Sequence, residues 1–134
     1  MNVVDDGLYD LLAAGTALTT ALGGTAIYWQ IANQRTAFPY VIFFESSGID
    51  ENSSPVRARR MMYTVKAVSD DPDEAGDLDG HIDTLLRDAT LTVSGYRNYR
   101  TWRENDIGYV ELTNAGEAIF HRGAQYGIWL VGTA

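Results

Sequence analysis

Hydrophobic residues near the start of the chain recur at intervals of three and four. The pattern runs through Val4, Leu8, Leu11 and Leu12, and this spacing is typical of one face of an amphipathic helix. A glycine then interrupts the pattern. Residues 16–22 predict a short second helix, which a pair of glycines ends.

The next pattern along the chain is that of β-strands. Residues 25–30 and 39–45 are rich in β-branched and aromatic side chains, which predicts two strands. The second strand is apolar on both faces, so we expect it either in the middle of a sheet or covered on both sides. In residues 56–68 one face is apolar and the other carries Arg60, Met62, Thr64 and Lys66, as in a strand with one face partly in solvent. The polar stretch 46–55 between them predicts a mobile loop.

A long helix follows and has the clearest start signal in the sequence. Asp71 is suited to cap it, Pro72 to begin it and Glu74 to complete a capping box. The helix is predicted over residues 72–88. Apolar residues at helical spacing form one stripe behind the cap: Ala75, Leu78, Ile82, Leu85, Leu86 and Ala89.

The last third of the chain predicts strands again. Residues 90–104 and 107–113 predict two strands joined near residues 105–106, and a final strand covers 118–131. Gly123 or Gly127 is expected to mark a bulge or a bend in that strand. The order α-β-β-β-α-β-β-β predicts a single α+β domain over residues 1–134. Its mixed or antiparallel sheet would have five to six strands, with the N-terminal helix and one long helix packed on it.

Composition narrows the possible partners. Ten basic and eighteen acidic residues give the 134-residue chain a net charge of −8, which argues against binding to nucleic-acid phosphates or anionic membranes. The absence of cysteine excludes disulfides and thiolate metal sites. Residues 11–34 carry no charge and are long enough to span a bilayer, but their threonines, glycines and amides make them too polar. We therefore expect no membrane segment.

No catalytic constellation is evident. His81 and His121 have no second imidazole in register, and neither a nucleophile motif nor a phosphate-binding loop occurs. Asp71, Asp73 and Gly76 superficially suggest a calcium loop, but the proline and the helical stripe contradict one. We expect no enzyme activity, no cofactor and no metal. A small-ligand enzyme using aspartates and His81 is the weak alternative.

Acidic and basic residues lie in different segments of the chain. Acidic residues crowd onto the long helix, whereas seven of the ten basic residues fall on two β segments, interleaved with aromatics. Arginine and aromatics together are typical of protein interfaces. Cross-strand ion pairs and cation–π contacts on an open sheet face explain the pattern equally well. The candidate interface residues are Arg57, Arg59, Arg60, Lys66, Arg97, Arg100, Trp102, Arg103, Asp73, Asp77 and Asp83.

Several short segments stand out together with the order of elements: AIY (26–28), FPYVIF (38–43), VKAVS (65–69) and IDTLL (82–86). In this combination the chain resembles the tail-completion, or tail-terminator, proteins of long-tailed phages. The resemblance covers most of the chain and is sharpest at residues 39–41 and 63–86.

This resemblance implies a structural virion protein at the head-proximal end of the tail, assembled in the host cytoplasm. Such subunits form rings, commonly sixfold, that cap the tail tube, stop its growth and present a surface to the head connector. DNA passes through the ring without specific binding. Two alternatives stay open: another head–tail connector or tail-tube protein, and a binding module of host origin.

Overall fold

The computed structural model describes residues 2–33, 36–51 and 57–133. In this part of the chain three helices and six strands follow one another. They are α1 (Asn2–Ala13), α2 (Thr16–Leu22), β1 (Ile27–Trp29), β2 (Tyr40–Asp50), β3 (Ala58–Ser69), α3 (Pro72–Leu86), β4 (Thr92–Val93), β5 (Tyr96–Leu112) and β6 (Ala118–Gly132).

The six strands form one mixed sheet in the order β1-β2-β3-β6-β5-β4. β1 runs parallel to β2, and every other neighbouring pair is antiparallel. The predicted fold class is therefore confirmed: an α+β chain whose helices pack on a six-stranded sheet.

The hydrophobic core lies between the helices and one face of this sheet. Alternate residues of β3 face the core, among them Tyr63 and Val65, and both are fully buried. The predicted stripe of α3 meets them through Leu78 and Ile82, and α1 contributes Leu8. The period-2 pattern of the strands and the period-3.6 pattern of the helices thus give each element one apolar face, and these faces pack against each other.

The start of α3 confirms half of the predicted capping box. The Asp71 carboxylate accepts a hydrogen bond from the backbone N–H of Asp73 at 3.0 Å, and Pro72 occupies the first helical turn. Glu74 does not reach back to the cap residue. Its carboxylate accepts from the Ser69 hydroxyl at 2.7 Å, and that hydroxyl accepts from the Asp71 N–H at 3.0 Å. A serine at the end of β3 thus joins the strand to the helix. α3 ends at Leu86, two residues before the predicted end.

The predicted loop at residues 46–55 is wrong for its first half. β2 continues to Asp50, with a bulge between Glu45 and Ser47. Residues 47–50 pair with β3, although their polar sequence favours a loop. Residues 52–56 lie outside the described residues, and the mobility of the loop stays a prediction.

The two strands predicted at 90–104 and 107–113 are also wrong as separate elements. Residues 96–112 form the single long strand β5, preceded by the two-residue β4. Asn105 and Asp106 resemble a turn in sequence, but both pair with β6. The pairing of β5 with β6 is interrupted by two bulges in β5, one between Asn98 and Arg100 and one between Arg103 and Asn105.

The bulge predicted at Gly123 or Gly127 is absent, because the ladder of β6 runs without a register shift through both positions. These glycines instead allow close approach. A Cβ at Gly127 would lie 2.2 Å from the ring of Trp102, which therefore lies flat on the sheet. A Cβ at Gly123 would lie 2.3 Å from the carbonyl oxygen of Val65.

Candidate assembly surface

The face of the sheet opposite the core carries basic and aromatic side chains. Alternation along β3, β6 and β5 places them there, since their neighbours in sequence point into the core. The described helices all pack on the other face. We call this the open face. It includes Arg60, Lys66, Arg100, Trp102 and Trp129.

One cluster on the open face is held by cation–π and ring contacts. The Arg60 guanidinium lies 4.4 Å from the centroid of the Trp129 ring, and Tyr99 meets the same ring edge-on at 4.7 Å. Arg100 lies 5.4 Å from the ring of Trp102. The contacts expected of an open sheet face are therefore present within one subunit. Arginine and aromatic side chains held in this way are also typical of interface hot spots.

A second cluster lies further along the open face, around His121. The Lys66 ammonium donates a hydrogen bond to the Tyr109 hydroxyl at 2.6 Å, and the Tyr109 ring stacks on the His121 ring at 4.3 Å. The His121 Nε2 lies 2.8 Å from a Glu111 carboxylate oxygen. Burial lowers the pKa of His121, against the opposing influence of Glu111. Sequence reasoning considered His121 only as a metal ligand and missed this cluster, because its four members come from three different strands.

The lowered pKa of His121 predicts a pH-dependent stability. The folded protein takes up this proton only at a pH below the ordinary value of about 6.5, whereas the unfolded chain takes it up near that value. In the window below about pH 6.5 the unfolded state binds more protons, so the free energy of unfolding rises with pH and falls on acidification. Urea unfolding between pH 7 and 5.5 measures this slope. We expect a shallower slope for His121→Gln, and equal slopes would contradict the assignment.

Arg103 belongs to a network on the core side of the sheet, between β5 and α3. Its guanidinium donates two hydrogen bonds to the Asp79 carboxylate, at 3.2 and 3.1 Å, and lies 3.4 Å from Asp83. Its Nε donates to Asp106 at 2.8 Å. Arg103 is 16% exposed and Asp79 14%. Burial opposes the charge, but the hydrogen bonds to Asp79 and Asp106 outweigh it and hold the pKa of Arg103 above its usual range.

Some of the acidic and basic residues that lie in separate segments of the sequence therefore pair with one another within the subunit. Asp83 is bound by Arg103 and by Arg87, and its Oδ1 accepts from the Tyr126 hydroxyl. Arg57 pairs with Asp50 at 3.0 Å, and Arg60 pairs with Glu51. The intersubunit roles predicted for these residues stay predictions, since the contacts described here are intramolecular.

The other candidate residues lie apart from this network. Arg97 and Arg100 are exposed on β5, and Asp73 and Asp77 are exposed near the start of α3. Arg59 is half-buried on the core side of β3, and its Nε has no hydrogen-bond partner in the described part of the chain.

Within residues 2–33, 36–51 and 57–133, no group of three acidic or imidazole side chains is arranged to hold a metal ion. None of the described helices is long and apolar enough to cross a bilayer. His81 is half-exposed on α3, as expected for a surface helix histidine.

Helices cover one face of the sheet and basic and aromatic side chains line the other, so the fold is that of a small α+β protein. The pattern of the family described as "Tail completion protein gp17" matches residues 6–121, and the chain belongs to that family. It is a structural protein of the phage tail and hence of the virion.

Solved structures share the fold. A chain of "Virion of native gene transfer agent (GTA) particle" superposes with a TM-score of 0.78 at 18% identity, covering 96% of this chain and 95% of that one. A second solved structure superposes with a TM-score of 0.61 at 12% identity, covering 99% of this chain and 96% of the other. No curated protein sequence matches the chain.

Proposed function

We propose that this protein is the tail terminator: a homo-oligomeric ring of six subunits at the head-proximal end of the tail. The ring caps the tube, stops its polymerisation and offers its other face to the head–tail connector protein. It acts by assembly and not by catalysis. The observation that carries the proposal is the family membership, joined to an open sheet face lined with arginine and aromatic side chains.

The exposed charges supply the contact surfaces of this ring. A closed ring of identical subunits needs two different complementary patches on each subunit. Asp73 and Asp77 on α3 are one patch, and Arg97 and Arg100 on β5 are the other. We propose that the acidic helix faces the basic strands of a neighbouring subunit or of the tube.

The net charge of −8 suits a ring through which DNA slides. Acidic residues along the channel would repel the phosphate backbone and prevent binding. A ring whose channel is lined by arginine would contradict this part of the proposal.

The oligomeric mass tests the ring itself. We expect native mass spectrometry of the purified protein, or of a mixture with tail tubes, to show one closed oligomer. Arg97→Glu combined with Arg100→Glu should abolish it, because two charges change sign at one patch. As a control, Thr20→Glu with Ala21→Glu adds two acidic residues to the exposed side of α2 and should leave the mass unchanged.

Two results would contradict the proposal. A protein that stays monomeric at high concentration and in the presence of tubes does not form a terminating ring. A protein that polymerises alone into long open tubes would instead be a tail-tube protein.

A further inference from the structure

Two exposed apolar patches lie at opposite edges of the sheet, both on the face that carries the helices. The first, the arm patch, is formed by the end of the β5–β6 hairpin and comprises Gly108, Val110, Leu112, Phe120 and Arg122. The second, the edge cleft, lies between α1 and β1 and is lined by Asn2, Asp5, Asp6, Tyr9, Trp29 and Phe43.

The arm patch combines unburied aliphatic side chains with one positive charge. Val110 is 55% exposed and Leu112 73%, although both pair with residues of β6. Gly108 lies opposite Arg122, and a Cβ there would be 3.4 Å from the arginine stem, so the stem lies against the glycine. A hollow of about 410 Å³ opens beside Val110, Phe120 and Arg122.

The edge cleft offers the complementary chemistry. Its volume is about 440 Å³, and Trp29, which is 49% exposed, forms one wall. Tyr9 and Asp6 are exposed on α1 above it. Asp5 is already bound by the Tyr63 hydroxyl, so Asp6 is the carboxylate presented to a partner. Aromatic walls and a carboxylate suit an aliphatic side chain next to a cation.

A row of paired residues crosses the sheet from the edge cleft to the base of the arm. Trp29 pairs with Phe43, Phe43 with Val65, Val65 with Ala124, and Ala124 with Asp106 at the base of the arm. The base of the arm therefore lies level with the cleft, at the opposite edge and on the same face, and the arm patch extends from it along residues 108–112 of β5. A neighbouring copy placed beside this edge and shifted along the strands by that offset would bring its cleft to the arm patch.

We propose that the arm patch of one copy docks in the edge cleft of the next copy. Arg122 then faces Asp6, while Val110 and Leu112 pack against Trp29 and Tyr9. Because the two patches differ, the contact is head-to-tail and repeats around a ring. This inference rests on the proposed ring and names a contact within it, separate from the charged residues discussed above.

A charge swap tests the contact. Arg122→Glu and Asp6→Arg should each raise the dissociation constant of the oligomer at least about tenfold, and the double variant should restore assembly. Leu112→Asp should do the same as either single variant, without unfolding the subunit, because this side chain is exposed. Ala17→Arg, on the exposed side of α2, is the matched control. Sedimentation velocity over a concentration series gives the constants, and circular dichroism checks folding.

The outcomes separate this contact from the ring. If the wild-type protein assembles and Arg122→Glu and Leu112→Asp assemble equally well, the contact is overturned while the ring stands. Single variants whose loss the double variant does not repair overturn the pairing of Arg122 with Asp6. A wild-type protein that never assembles overturns the ring, and the contact with it.

Discussion

Replacing Arg103 with methionine is expected to lower the free energy of unfolding by about 3 kcal/mol. The substitution leaves the stem length nearly unchanged but removes the only charge that contacts both Asp79 and Asp83 among the described residues. Asp79 is largely buried, so its carboxylate would lose two hydrogen bonds without regaining full hydration. Urea unfolding at neutral pH measures the loss.

The matched control is Arg100→Met. Arg100 lies on the same strand, but it is exposed on the open face, where its guanidinium lies 5.4 Å from the ring of Trp102. Its replacement should cost less than about 1 kcal/mol. Adding Asp79→Asn and Asp83→Asn to Arg103→Met should recover part of the loss, because the uncompensated charges are then removed. If Arg103→Met and Arg100→Met lowered the free energy of unfolding equally, the ion-pair network around Arg103 would contribute no more to stability than the exposed Arg100.

Replacing Gly123 with alanine is expected to cost about 3 kcal/mol, the upper part of the range for overpacked sites. The new Cβ would lie 2.3 Å from the Val65 carbonyl oxygen and 2.5 Å from the Lys66 Cα. Both atoms belong to the backbone of β3 in the middle of the sheet, so no side-chain rotation relieves the overlap. Thermal and urea unfolding should both show the loss.

Gly80→Ala provides the control for this prediction. Gly80 lies within α3, and a Cβ there meets nothing within 4 Å. Alanine should therefore stabilise the protein by about 0.5–1 kcal/mol through helix propensity alone. If Gly123→Ala were as harmless as Gly80→Ala, the close approach of β6 to β3 would be wrong.

Elements that depend on local signals could be predicted from the amino-acid sequence alone. Asp71 and Pro72 begin α3, and the 3.6-residue stripe behind them sets the face that α3 buries. The alternation of β3 likewise settles which of its side chains enter the core. These features involve residues within a few positions of one another, so their physical cause can be read along the chain.

Local signals failed where distant strands compete with them. Asn105 and Asp106 favour a turn, yet pairing with β6 keeps both residues in one strand. The polar residues 46–50 favour a loop, yet β3 extends alongside them. A ladder satisfies many backbone groups at once and outweighs the turn preference of two or three residues.

Which charged and polar side chains contact one another follows only from the three-dimensional structure. The sequence separated acidic helix from basic strands, but it could not show that Arg103 and Asp79 meet within one subunit. Nor could it show that His121 is buried beside Glu111, or that Trp29 and Asp106 share one row of the sheet. Each of these depends on strand register, which is set by pairing between segments far apart in the chain.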